Sequence, residues 1–182
     1  MTRSTNARIA GVTFLVYIAA GLTAMTLGPG PLGSGVKLAG TVASLLSSFS
    51  ALVLGVTLYG ITREEDHELA MLAMLCRVGE GVIGAMPGTM LVPATFFAVG
   101  STIFAWLLLR GRMIPAPLAL LGVAASLLTV VAMPLQLAGF VGGTAARLVW
   151  APMLAFEVPL ALWLIFRGVA APARLHPSGA SP

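Results

Sequence analysis

The segment Pro117–Leu137 reads PLALLGVAASLLTVVAMPLQL and contains no charged side chain. A helix of about 20 apolar residues spans the ~30 Å hydrocarbon core of a bilayer. The segment lacks the strict alternation of apolar and polar residues found in membrane β-strands. It therefore predicts a transmembrane α-helix, which satisfies all its backbone hydrogen bonds internally.

Five further apolar segments have similar length: Ile9–Leu27, Leu38–Ile61, Leu69–Met86, Leu91–Leu109 and Val149–Phe166. Glycine- and proline-rich or charged stretches separate most of them. The pattern predicts an all-α fold, a polytopic membrane helix bundle with about six transmembrane helices. The connection between the third and fourth segments is short and uncharged. A re-entrant hairpin there, with fewer complete spans, therefore stays an alternative.

The composition supports a membrane protein and excludes a nucleic-acid-binding protein. Of the 182 residues, 58% are hydrophobic and 9% are charged, against about 25% charged in soluble domains. The net charge of +4 comes from scattered residues that form no basic cluster. The single cysteine, Cys76, excludes an intrachain disulfide.

Arginine and lysine fall unequally on the two sides of the predicted bundle. One side carries Arg3, Arg8, Arg63, Arg110, Arg112, Arg167 and Arg174, and the other carries only Lys37 and Arg147. The positive-inside rule therefore predicts that both termini are cytoplasmic. The first segment lacks a small-x-small cleavage site, which favours an uncleaved helix over a signal peptide. We expect residues 1–170 to form one transmembrane domain and residues 171–182 a disordered tail.

Three acidic or basic side chains lie inside the predicted spans: Arg77 and Glu80 in the third, and Glu157 in the last. Ionised groups at mid-bilayer cost about several kcal/mol unless they are paired, neutralised or hydrated. At ~1.5 Å per residue, all three lie roughly 13–18 Å from the cytoplasmic ends of their helices. This layer holds one positive and two negative charges, so it predicts a bound proton, cation or balancing ligand.

Other polar side chains come out near the same depth: Tyr17, Ser47, Ser48, Ser50, Ser101, Thr102 and Ser126. We predict a ligand or proton site formed by Arg77, Glu80, Glu157, Tyr17, Ser48 and Ser101. It needs neither a metal nor a cofactor, and its ligand is a small molecule or ion. The alternative is a structural or partner-binding membrane protein, whose buried charges only fix which helices pack together.

The segment Gly79–Gly84 matches the G-x-G-x-x-G pattern. The dinucleotide-binding interpretation requires a preceding strand and a βαβ unit, whereas this segment lies inside an apolar helix. Small residues at Gly81, Gly84 and Gly88 instead favour close helix packing. The lipid bilayer is the predicted partner, and this helix also offers a face for a homo-oligomer.

The charged loop Thr62–Glu68 contains His67 among several carboxylates. A metal site could recruit these groups, but the capping-box spacing of Thr62 and Glu65 favours the start of the third helix. The two histidines, His67 and His176, both lie outside the spans, and no Ser–His pair or P-loop is present. The sequence therefore gives no catalytic residue and favours a protein that is not an enzyme. An intramembrane enzyme with a two-carboxylate mechanism stays a weaker alternative.

Several short motifs occur in order along the chain: ARIAGV at residues 7–12, RVGE at 77–80, LLLRGRMIPA at 107–116, FEVP at 156–159 and LWL at 162–164. Through them the chain resembles the bacterial integral-membrane family known as domain of unknown function 4386. The resemblance implies a multi-helix fold in the bacterial cytoplasmic membrane and makes Arg77, Glu80 and Glu157 shared features. It implies no activity. The connection Met86–Met90 is shorter and less polar than the family pattern.

Overall fold

The structure is a computed structural model that describes residues 2–28, 35–86 and 90–170. Its regular secondary structure in these ranges is entirely helical, which confirms the all-α prediction. The helices are α1 (Arg3–Leu27), α2 (Gly35–Thr62), α3 (His67–Gly84), α4 (Leu91–Arg110), α5 (Ala116–Leu137), α6 (Gly143–Leu148) and α7 (Ala151–Phe166). The predicted tail, residues 171–182, and the packing residue Gly88 lie outside the described residues.

Within the described ranges, five helical units are long and apolar enough to cross a membrane: α1, α2, α4, α5 and the unit Gly143–Phe166, which combines α6 and α7. The predicted multi-span helical architecture is confirmed at this level. Helix α3 differs from these five because Glu68, Arg77 and Glu80 lie within its 18 residues. Its role as a sixth span therefore depends on where those charged side chains point.

The helices form a closed ring. Each of α1 to α4 packs against the next in chain order, and α7 packs against both α5 and α1. One apolar core fills the ring, with contributions from Leu54, Phe97, Phe104, Phe156 and Leu164. Antiparallel neighbours joined by short connections are the usual arrangement of helix bundles. The consequence here is that α3 and α7 both border the same core.

Glycines allow several of these helices to approach closely. A Cβ at Gly81 of α3 would lie 2.7 Å from the carbonyl oxygen of Ser48 on α2. A Cβ at Gly11 of α1 would lie 2.6 Å from the carbonyl oxygen of Ala161 on α7. The predicted packing role of Gly81 is confirmed, and its contact lies within one chain.

One end of the ring is held by ion pairs between helices. Arg3, at the start of α1, pairs with Glu64 at 3.0 Å. Arg110, at the end of α4, pairs with Glu65 at 3.1 Å and with Asp66 at 3.4 Å. The start of α1, the connection between α2 and α3, and the end of α4 therefore meet at this arginine-rich end.

The predicted capping box at the start of α3 is wrong. Asp66 is the N-cap residue, and its carboxylate accepts a hydrogen bond from the backbone N–H of Leu69 at 3.1 Å. Thr62 is the last residue of α2, and its hydroxyl donates to the carbonyl of Leu58 at 2.8 Å. The spacing rule failed because α2 extends to Thr62, so that its hydroxyl is used within α2.

Candidate functional site

Arg77 lies in the centre of the ring, and 1% of its side chain is exposed. Two glycines leave space for it on the neighbouring helices. A Cβ at Gly55 of α2 would lie 3.0 Å from the Cβ of Arg77, and a Cβ at Gly100 of α4 would lie 3.6 Å from its Cδ. Gly55 therefore lets α2 approach α3 closely at Arg77, and Gly100 does the same for α4, where a Cβ would lie 3.0 Å from the Cβ of Cys76.

The guanidinium of Arg77 forms an ion pair with Glu80, one turn further along α3. The distance from Nη1 of Arg77 to Oε2 of Glu80 is 2.8 Å. The other carboxylate oxygen, Oε1, accepts a hydrogen bond from the hydroxyl of Tyr17 at 2.6 Å. Both distances are those of charge-assisted interactions. Glu80 is therefore bound on both oxygens, and the Tyr17 bond joins α1 to α3.

Two aromatic rings also contact the guanidinium. Its central carbon lies 5.0 Å from the ring centroid of Tyr17 and 5.1 Å from that of Phe97. The two rings are nearly parallel, with an interplanar angle of 14°. Cation–π attraction stabilises such an arrangement by about 2 kcal/mol where water is excluded. The rings therefore compensate part of the cost of removing Arg77 from water.

Glu157 on α7 is equally buried, and 4% of its surface is exposed. Among the described residues, its Oε1 has no hydrogen-bond partner. The Nε and Nη2 atoms of Arg77 are also without a hydrogen-bond partner there. Native proteins pair nearly all buried polar atoms with protein groups or with ordered water. These atoms of Glu157 and Arg77 are therefore candidate contacts for a ligand or a water molecule.

A small cavity of about 10 Å³ joins these groups. Its polar lining comes from Arg77, Ser101 and Glu157. Its apolar lining comes from Phe14, Leu58, Phe104, Ala105, Leu108, Phe156 and Leu160. A cavity of this size accommodates about one water molecule. The cavity thus brings a cation, a carboxyl group and a hydroxyl together in an otherwise apolar core.

The predicted site residues fall into three groups. Tyr17, Glu80 and Arg77 contact one another directly, whereas Ser101 and Glu157 share the cavity with Arg77. Ser48 is not among the residues that line the cavity. It lies at the α2–α3 contact, where its Oγ would be 3.4 Å from a Cβ at Gly84.

Other hydroxyls at this depth are used inside their own helices. Ser50 donates to the carbonyl of Leu46, Thr102 to that of Ala98 and Ser126 to that of Gly122, at 2.7 to 2.8 Å. The packing of Phe97, Gly55 and Gly100 against Arg77 was not predicted from the sequence. Nothing in the sequence distinguished these glycines from others, because only the facing of the helices reveals their role.

Five long apolar helical units around a buried ion pair define the class: a helical protein of the multi-pass membrane type. The model of the family described as "Domain of unknown function (DUF4386)" matches residues 85–168. This is the family that the sequence motifs resemble, so that prediction is confirmed for this segment. The matched segment contains Ser101 and Glu157. No curated protein and no solved structure matches the chain.

Proposed function

We propose that this protein binds or moves a small ion or small molecule at a polar site in the middle of a membrane. The observation that carries the proposal is the environment of Glu157. Its carboxyl group is buried, its Oε1 lacks a protein partner among the described residues, and it lines a cavity with Arg77. A buried carboxylate in such a place needs a proton, a cation or a cationic ligand.

A purely structural network would not require Glu157. Arg77 is already paired with Glu80, whose second oxygen is bound by Tyr17. Burying another ionisable group adds a desolvation cost that a packing role does not repay. The extra carboxyl group therefore supports a working site over a structural one.

The proposal includes α3 as a sixth span. Arg77 and Glu80 are buried within the ring, whereas Leu72, Leu75 and Val82 of α3 are about half exposed. A helix that turns its charges inward and its apolar side chains outward suits a lipid environment. Six spans put both termini on one side, and the excess of arginine on that side favours the cytoplasm. We propose the bacterial cytoplasmic membrane as the location.

Infrared titration of the purified protein in lipid vesicles tests the role of Glu157. We expect a carboxyl band that responds to pH or to a ligand and is lost in Glu157→Gln, together with a flux or binding activity that the variant also loses. Glu157→Gln protein that folds and keeps every transport and binding activity of the wild type would refute the proposal. Reporter fusions at the two termini test the orientation separately.

The second candidate function is a structural or partner-binding membrane protein. The observation that favours it is the fully bound carboxylate of Glu80, which ties α1 to α3 through Tyr17. On this view the buried charges only specify how the helices pack. Simultaneous replacement of Arg77, Glu80 and Glu157 by apolar residues would then leave both folding and cellular function intact.

A further inference from the structure

We propose that the ion taken by Glu157 is a proton rather than a metal cation, and that one water molecule bridges Glu157, Arg77 and Ser101. This inference rests on the proposed function, because it names the ligand of the same site. Three observations lead to it: the volume of the cavity, the chemistry of its lining, and the formal charge of the buried groups.

The lining is unsuited to a metal cation. Hard cations are held by several oxygen ligands, commonly six or more for Ca²⁺ and Mg²⁺. Of the ten residues that line the cavity, only Glu157 and Ser101 offer side-chain oxygens, and seven are apolar. The remaining residue, Arg77, brings a positive charge to the same cavity. A metal ion would thus meet too few ligands and an adjacent cation.

The lining suits one water molecule. A buried water needs two to four polar partners and a cavity of roughly 10–15 Å³. The cavity of about 10 Å³ provides N–H donors of Arg77, the Oε1 acceptor of Glu157 and the hydroxyl of Ser101. A water here accepts a hydrogen bond from Arg77 and donates one to Glu157. Both side chains are more than nine-tenths buried, so bulk water does not fill this role.

The charges agree with the uptake of a single proton. Ionised Arg77, Glu80 and Glu157 together carry one positive and two negative charges. One proton on Glu157 brings the sum to zero while leaving the ion pair of Arg77 and Glu80 intact. A divalent cation would instead leave an excess of positive charge in the core, which is costly at this depth.

Few titratable groups face Glu157 from the helices around it. Arg77 of α3 shares its cavity. Glu80 of α3 is paired with Arg77, and Tyr17 of α1 is hydrogen-bonded to Glu80. Helix α5 contains no titratable residue, and Glu157 is the only one in α7. Cys76 of α3 is also buried. The remaining titratable residues of α1 to α4 lie toward helix ends: Arg3, Arg8, Lys37, Tyr59, His67, Glu68 and Arg110. A pH response of the core is therefore assignable by a few variants.

The test uses the full chain in lipid vesicles and pH-induced infrared difference spectra. We expect a protonated-carboxyl band that changes with pH and is absent in Glu157→Gln. At constant pH, replacing choline chloride by NaCl or KCl should leave this band unchanged. A band that follows Na⁺ or K⁺ would overturn the assignment to a proton but keep the proposed function. A Glu157 carboxyl that responds to neither pH nor ions would overturn the assignment to a proton, and Glu157→Gln protein with unchanged flux and binding would overturn the proposed function as well.

The bridging water is tested by repeating the spectra in H₂¹⁸O. We expect a water O–H band that shifts with the isotope and disappears in Ser101→Val, which fills the space with apolar atoms. Ser101→Ala keeps the space and should retain the band at a changed frequency. Thr102→Val is the matched control, because the Thr102 hydroxyl is bonded to the carbonyl of Ala98 at 2.8 Å. A wild-type spectrum without an isotope-sensitive water band would overturn the bridging water.

Discussion

Arg77 pairs with Glu80 on its own helix at 2.8 Å, and it shares a cavity with Glu157 from the far end of the chain. The two carboxyl groups are thus unequal. Glu80 is bound on both oxygens, whereas Oε1 of Glu157 has no protein partner in the described part of the chain. The closed ring of helices explains the arrangement, because α7 returns beside α1 and directs Glu157 into the core that α3 borders.

Removing the buried cation should destabilise the bundle strongly. Arg77→Leu leaves the carboxylate of Glu80 buried without its partner, which costs about 3–5 kcal/mol. Replacing Arg77, Glu80 and Glu157 by Leu together should recover most of that loss, since no buried charge remains. The stability of both variants is measured by unfolding in detergent, with circular dichroism as the signal. A triple variant as unstable as Arg77→Leu would contradict this account.

The hydroxyl of Tyr17 should contribute measurably to stability. Tyr17→Phe keeps the ring beside Arg77 but removes the donor to Glu80, and hydrogen bonds to charged groups are worth about 1.5–3 kcal/mol. Tyr59→Phe is the control, because the Tyr59 hydroxyl bonds to Nδ1 of His67 at 3.2 Å, in an exposed position. We expect a much smaller loss there. Equal losses in the two variants would refute the special role of Tyr17.

Two glycines of α3 should differ in their tolerance of a methyl group. Gly81→Ala places a Cβ 2.7 Å from the Ser48 carbonyl oxygen, whereas Gly84→Ala makes its nearest contact at 3.4 Å, with the Ser48 side chain. Overpacking against backbone costs about 1–3 kcal/mol, so Gly81→Ala should be the less stable variant. Thermal unfolding of both variants in the same detergent measures the difference in stability. A Gly84→Ala variant equally damaged would show that the close approach of Gly81 to the Ser48 backbone is not the cause.

Glu65 and Glu64, two adjacent carboxylates at the arginine-rich end, should contribute unequally to stability. Glu65 pairs with Arg110 and its side chain is 1% exposed, whereas Glu64 pairs with Arg3 and its side chain is 47% exposed. Exposed ion pairs contribute about 0–1 kcal/mol, whereas Glu65→Gln leaves a buried amide in place of a charge-assisted bond to Arg110, a loss of about 1.5–3 kcal/mol. Glu65→Gln should therefore lower the unfolding temperature more than Glu64→Gln. The reverse order would mean that the Arg3 pair is the stronger one.

The sequence predicts a depth for each polar residue, but it does not predict the direction of each side chain. Counting ~1.5 Å per residue from the helix ends placed Arg77, Glu80 and Glu157 at similar depth. The same count also placed Ser48 there, yet Ser48 lies at a helix contact outside the cavity lining. Depth depends only on position along a helix, whereas membership of the site depends on rotation about its axis.

The rotation of a helix about its axis is hard to predict from an apolar sequence, because lipid and the protein core both favour apolar side chains. In α1, Phe14 is buried and Val12 is half exposed, although both are apolar. A soluble helix would separate such positions by polarity. The capping error at Thr62 has a similar origin, since the end of an apolar helix is set by tertiary contacts as well as by local spacing.

The sequence by itself determined that the chain consists of membrane-length apolar helices, and it predicted that Arg77, Glu80 and Glu157 lie at similar depth. Both follow from hydrophobic length and from the fixed rise of a helix. Only the tertiary structure decided that Glu80 takes the ion pair with Arg77 while Glu157 borders a cavity the size of a water molecule. The physical reason is that pairing requires a specific rotation and approach of helices, which Gly55 and Gly100 permit and which composition does not encode.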